Sequence, residues 1–376
     1  MKLNFLSNLF KKSTSESFDN NKDITTSNDL KASEVLIEKG KAKANQKDYS
    51  GAIKDFSNAI ELDPRSISAY WERSKAKREL NDIPGADKDF QNGNILYENL
   101  DNGLKANDEG NSYYEDGDYK NAIRCYNKAI PLIPTIKTIY YYRGLSKQYL
   151  KDYNGAMEDF NKSIEVNASN KADSYYERSL LKSHNLDDKV GALQDLNDAI
   201  EINPNEAHYY YSRAKLQDEY DGLQDLTKAI ELEPENPDYY LSRSLNRKKM
   251  EDYEGSIADL TKFIEINQDS YITITEAYSL RAGMRLLSND LQGALKDHDN
   301  AVKTDPTNSD AIMERGIIKD LLRDYEGAII DFSKAIELNP KNAQAFYERG
   351  VVRQNIGLED EGVMDVIKAK VLGYEE

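Results

Sequence analysis

Cysteine is all but missing from the chain: Cys125 stands alone among 376 residues. A single thiol closes no internal disulfide, so packing must hold the fold, and a reducing compartment, the cytoplasm, fits. Histidine is nearly as scarce, with only His184, His208 and His298, none of them at metal-ligand spacing from one another or from the cysteine. Neither a glycine-rich phosphate loop nor a nucleophile motif occurs. The sequence therefore predicts no metal, no cofactor and no catalytic residue, and it reads as a non-enzyme. Apolar runs are short as well, and none reaches the roughly 20 residues of a membrane span. Positive charge is the minority: Lys and Arg total 50 against 67 Asp and Glu, a net charge of −17. That balance disfavours a phosphate backbone or an anionic membrane as partner. It points to a neutral or basic partner, or serves solubility alone.

What the chain does have is repetition. In RDYEGAIIDFSKAIELNPKN (323–342) a turn leads to small Ala328, large Phe332, small Ala335, apolar Ile336 and Leu338, and a stop at Pro340. The small slot recurs at Ala52, Ala86, Ala122, Ala156, Ala192, Gly222, Ser256, Ala294 and Gly362, at spacings of 34, 36, 34, 36, 30, 34, 38, 34 and 34. Upstream lies a second pattern, Tyr-x-x-Arg-small, as in Tyr70–Ser74, Tyr140–Gly144 and Tyr175–Ser179. Each copy reads as two amphipathic helices joined by a short turn. Phe56, Phe90, Tyr126, Phe160 and Phe332 are the large residues expected to fill the space between them. Asp48, Asp118, Asp152, Asp252, Asp290 and Asp324 stand where a second helix begins and orphan amides need an acceptor. Pro64, Pro134, Pro204, Pro234, Pro306 and Pro340 stand where it must stop. No unit can bury its apolar face alone, so neighbours must stack.

These slots resemble the tetratricopeptide repeat. The resemblance covers residues 32–372 and implies an all-α, right-handed superhelical solenoid of ten tandem helix-turn-helix repeats. It also implies a protein-binding scaffold, in which first helices line a concave groove that holds a partner protein or an extended peptide. The residue after the aromatic anchor then faces that groove. It is Trp71, Tyr141, Tyr176, Tyr211 and Tyr347, with Leu241 and Met313 in two further copies. An exposed stripe of rings would suit partner contact; packing on neighbouring first helices is the other reading. The Lys and Asn pair with which some relatives grip a terminal carboxylate is not apparent. Two other functions stay open: an accessory subunit of an enzyme or cell-envelope complex, and a helical-repeat nucleic-acid reader, which the charge opposes.

One departure from the family pattern carries its own expectation. Arg73, Arg143, Arg178, Arg213, Arg243, Arg281, Arg315 and Arg349 occupy a place that is commonly apolar. Each accompanies an Asp three residues after the small slot, namely Asp89, Asp159, Asp195, Asp225, Asp259, Asp297, Asp331 and Asp365. Copy three has Glu109 and Cys125 instead, so the two vary together. A largely buried Arg–Asp pair within each copy is predicted.

Residues 1–31 read as a disordered leader, with Leu3–Phe10 either a weak surface anchor within residues 1–12 or a frayed tail. The solenoid, 32–376, has an irregular junction near 93–102. There Gly93 and Asn94 replace the usual Ala-Ile and no Pro follows, which marks a weak seam and a point of bend. Copy six is four residues short, close to one helical turn. Four extra residues within 268–275 read as a surface turn. Lys370 stands where other copies are apolar, as expected of a last unit. His298 occupies a large core slot and reads as a packing residue.

Overall fold

The computed structural model describes residues 27–267 and 271–374. All its regular elements are α-helices, nineteen among the described residues, and their contacts divide the chain into two compact units that meet in sequence at Pro204 and Asn205. The first unit holds α1 (Ser27–Asn45), α2 (Tyr49–Leu62), α3 (Ile67–Glu79), α4 (Ile83–Glu115), α5 (Tyr119–Leu132), α6 (Ile139–Tyr149), α7 (Tyr153–Glu165), α8 (Lys171–Asn185) and α9 (Lys189–Ile202). The second holds α10 (Ala207–Ala214), α11 (Glu219–Leu232), α12 (Pro237–Lys249), α13 (Tyr253–Ile266), α14 (Tyr271–Leu287), α15 (Leu291–Thr304), α16 (Ser309–Leu321), α17 (Tyr325–Leu338), α18 (Ala343–Asn355) and α19 (Glu359–Val371). Within each unit, consecutive helices pack as hairpins and successive hairpins stack.

The turn inside each hairpin has a local cause. Asp48, Asp82, Asp118, Asp152, Asp188, Asp252, Asp290 and Asp324 each accept the amide three residues on, which caps the second helix. Such a cap stabilises a helix by about 1 kcal/mol. The residue just before the Asp is left-handed, from Lys47 (φ 63°) to Arg323 (φ 65°), with Gly117 serving in copy three. At the other end Pro64, Pro134, Pro204, Pro234, Pro306 and Pro340 each directly follow the helix C-cap, as the sequence implied.

The core follows the slots. Every small-slot residue is buried, and Phe56, Tyr126, Phe160, Leu196, Leu226, Leu260, His298 and Phe332 are 4% exposed or less. Ring size is matched across the hairpin. A Cβ added at Gly40, Gly110, Gly144 or Gly316 would come within 2.5–2.8 Å of Phe56, Tyr126, Phe160 or Phe332. Where the facing residue is Ser179, Ala214, Ser244 or Ala282, the large slot is Leu196, Leu226, Leu260 or His298.

Phe90 breaks this pattern and corrects the sequence reading, because it is 48% exposed. The facing residue is Ser74, whose hydroxyl donates to the Ala86 carbonyl at 2.8 Å, so no glycine floor receives a ring. Trp71 fills the hairpin instead. Its indole lies where a Cβ on Gly93 would sit, 2.5 Å from Nε1, and Nε1 donates to Asn94 Oδ1 at 3.2 Å. Gly93 and Asn94 therefore accommodate the tryptophan and do not break the helix. The chain passes through 93–102 without a turn, and α4 runs for 33 residues. Its first half pairs with α3 through Arg73–Asp89, and its second half with α5 through Gly110–Tyr126.

Three other segments differ from expectation. The helical region begins at Ser27, so the last residues of the proposed leader are helical, while residues 1–26, including Leu3–Phe10, lie outside those described. Of the surface turn read at 268–275, residues 268–270 lie outside the described set and Tyr271–Thr275 open α14. The deletion in copy six shortens its first helix, α10, to eight residues. The pair Arg213–Asp225 survives at a separation of 12 residues where other copies have 16 or 17.

Candidate partner-binding face

All eight predicted Arg–Asp pairs form. Each is a two-pronged contact from Nε and Nη2 to the two carboxylate oxygens; in Arg178–Asp195 these measure 2.8 and 2.6 Å. Two further contacts were missed in the sequence. A second cation four residues after the Arg reaches the same carboxylate: Lys77, Lys147, Lys182, Arg247, Arg285, Lys319 and Arg353 lie 2.6–3.3 Å away. The Arg Nη1 turns to the preceding copy, donating to Ser57, Asn127, Asn161, Thr227, Thr261, Asp299 or Ser333. The guanidinium thus joins two helices of its own copy to the copy before. Copies one and three carry Lys39 and Glu109 at that place. Copy one opens the described helices, and copy three continues α4 in line from copy two.

This network engages the buried Asp of eight copies between the helices, apart from the residues that follow the aromatic anchors. None of the five predicted rings is exposed there; all are half-buried, which corrects the expectation of an exposed stripe. Neighbouring side chains crowd them. Trp71 rests on Gly93 and lies 5.8 Å from Tyr97. Tyr141 lies 6.1 Å from Phe160 and edge-on to Tyr142 at 5.3 Å. Tyr211 lies 4.9 Å from Tyr239 on the next first helix, with the Lys215 ammonium over the ring, 4.1 Å from its centroid. Tyr347 stacks on Tyr374 at 4.4 Å. Trp71, Tyr141 and Tyr176 belong to the first unit, Tyr211 and Tyr347 to the second.

The same face carries acids that the sequence reading passed over: Glu177, Glu314 and Glu348, each directly before the pairing Arg. Burial, with Asp173, Asp310 or Asp320 nearby, raises each carboxyl above the ordinary glutamate range. Glu177 accepts one hydrogen bond, from Gln148 Nε2 at 3.0 Å, and the amide's Oε1 is shut from solvent with no donor of its own. Burial and the Glu177 charge also push the Tyr141 phenol up, and burial with neighbouring phenols and Glu177 raises Tyr114 to about 12. His298 fills its core slot, its Nδ1 without a hydrogen-bond partner and 3.7 Å from Glu314. Burial holds its imidazolium pKa down to about 4.

No group of three His, Cys, Asp or Glu among the described residues could hold a metal ion. None of the described helices is long and apolar enough to cross a membrane. Profiles described as TPR repeat match residues 110–148 and 323–357, and tetratricopeptide repeat profiles match 33–66 and 138–170. Protein unc-45 homolog B of Xenopus laevis is 41% identical over 73 residues, 19% of this chain and 8% of its own. The mitochondrial import receptor subunit TOM70 of Homo sapiens is 36% identical over 73 residues, 18% of this chain and 12% of its own. The chain thus spans about a tenth of the length of these relatives. Among solved structures, the C-terminal part of a TPR repeat-containing protein from Cytophaga hutchinsonii superposes with a TM-score of 0.55 at 16% identity. That match covers 64% of this chain and 97% of the other, and it bears on fold alone. With repeat profiles near both ends of the described array and hairpins stacked within each unit, the chain carries tetratricopeptide repeats.

Proposed function

We propose that this chain is a non-enzymatic scaffold in a reducing compartment that binds an extended segment of a partner protein on its first helices. The observation that carries this reading is a division of labour between the two sides of the first helices. The interhelix core and the Arg–Asp network are closed, while the phase after the anchor keeps Trp71, Tyr141, Tyr176, Tyr211 and Tyr347 half-buried, with Glu177 beside Tyr176 and Glu348 beside Tyr347. Half-buried tyrosines cover area at low entropy cost and are frequent anchors of interfaces. A net charge of −17 favours a basic or neutral partner.

The test is partner capture with wild-type chain and with Tyr141→Ala/Tyr176→Ala, both substitutions in the first unit. Capture should fall by about tenfold or more, since truncating a hot-spot ring costs about 2 kcal/mol, while helical content is retained. Undiminished capture by a folded double variant would assign the rings to packing only.

A further inference from the structure

We propose that Glu177, framed by Tyr114, Tyr141 and Gln148, receives the cationic side chain of a lysine or arginine in the partner segment; this rests on the groove reading above and gives that segment its chemistry. The four residues come from three successive copies: Tyr114 ends α4, Tyr141 and Gln148 lie on α6, and Glu177 lies on α8. They are tied together across copies by the Gln148–Glu177 bond.

Glu177 is set apart from the other enclosed acids of this unit by what it lacks. Asp195 has two cations and Asp159 has two, whereas among the described residues Glu177 has one amide and no cation. The cation next to it in sequence is committed elsewhere, with Arg178 bound to Asp195 and Asn161. Asp173 adds further negative charge beside it. A carboxylate taken this far from water costs free energy until a counter-charge arrives.

The surroundings define the missing partner more narrowly. Because Gln148 donates Nε2 to Glu177, its Oε1 is the acceptor left buried without a donor, a state that is unfavourable by about 1–3 kcal/mol. The Glu177 carboxylate, met by one amide and by no cation among the described residues, calls for a group that brings both positive charge and several N–H donors. An ammonium or guanidinium has them; a hydroxyl or an amide does not bring the charge. The Tyr114 and Tyr141 phenols are close enough to Glu177 to feel its charge, and aromatic side chains beside a carboxylate cover the aliphatic stem of a cation. Tyr114 is itself held edge-on by Tyr142 at 5.6 Å, so the wall is fixed before a ligand arrives.

The experiment uses full-length chain and fluorescein-labelled Ser/Ala/Pro peptides that differ only at one central residue: lysine, arginine, citrulline or norleucine. Fluorescence polarisation at low salt should show the lysine and arginine peptides binding about tenfold tighter than the two neutral ones. Glu177→Gln should erase that preference while leaving the chain folded, with a melting temperature no lower than that of the wild type. Glu72→Gln, at the same place in copy two where Lys75 already pairs with the carboxylate at 2.8 Å, should preserve it. A preference that survives Glu177→Gln overturns the proposal, as does a failure of all four peptides to bind at about 1 mM. Equal binding of all four overturns it too but leaves the groove reading standing, because that reading is tested separately through Tyr141 and Tyr176.

Discussion

Arg178 and Asp195 meet through two parallel hydrogen bonds, and Lys182 reaches the same carboxylate at 2.8 Å. The Asp is 1% exposed. It is the shared member of the network, so the three side chains are not equivalent. Asp195→Leu strands two cations and should cost about 3–5 kcal/mol, the range for breaking a buried pair from one side. Arg178→Leu leaves Lys182 in place and should cost less. Arg178→Leu/Asp195→Leu should fall below Asp195→Leu. Denaturant unfolding monitored by circular dichroism reads the order directly.

Copy six supplies the comparison. At the position of Lys182 it has Gln217, and among the described residues Asp225 has Arg213 as its one cation. Arg213→Leu should therefore destabilise the second unit by about 3 kcal/mol or more, and by more than Arg178→Leu destabilises the first. Similar losses at the two sites would show that the second cation contributes nothing.

Phe90 and Phe160 occupy equivalent slots with opposite surroundings. Phe160→Ala empties a closed site over Gly144 and should cost about 3–5 kcal/mol. Phe90→Ala removes a ring that is 48% exposed and should cost well under about 1 kcal/mol. Thermal melts of the two variants separate the cases.

His298 predicts a pH dependence whose sign is fixed by burial. Its folded pKa is about 4 against 6.5 for the free side chain, so the unfolded chain takes up the proton first as the solution is acidified. The stability it confers is complete above about pH 6.5 and is lost between there and pH 4, to a limit of about 3 kcal/mol. Asp297, Asp299, Arg315 and Glu314 face the ring and stay in place when it is replaced. His298→Phe should thus flatten the difference curve over that interval, and unfolding free energies at pH 7, 5.5 and 4.5 measure it.

Glu177 has the opposite sign. Its folded pKa is raised by burial and Asp173, so its ionisation weakens the fold as pH rises through that value. Glu177→Gln should raise the melting temperature by about 2 °C at pH 7. The gain should vanish as pH falls to the ordinary glutamate value of about 4.3. Differential scanning calorimetry across this range reads it.

The repeat was legible because its constraints are local: a small residue facing a large one, an Asp at a cap, a Pro after a stop. The Arg–Asp pair was legible because copy three loses both members at once. The second cation was equally visible as Lys or Arg four residues on, but surface lysines are common and nothing local distinguishes these. The continuity of α4 was hidden. Gly93 and Asn94 read as breakers until Trp71, 22 and 23 residues earlier, is seen to occupy the space they leave. Nor could the rings' half-burial be read from helical phase, which tells direction but not what neighbouring copies place there. Glu177 was hidden for the same reason, since its lack of a cation depends on three copies together.

The uninterrupted passage of α4 from copy two into copy three has a consequence for how the protein comes apart. In a stacked array each copy gains stability from the surface it shares with the next, and that shared term makes neighbours melt together. Between copies two and three the bridging guanidinium is absent, Glu109 stands in its place, and Gln91, which would have received it, is exposed. Cooperation across this point falls to helix propagation along one backbone, worth far less than a buried interface. The stretch from α1 to the middle of α4 should therefore open as a unit of its own. Its amides should exchange with solvent by an opening that leaves copies three to five protected.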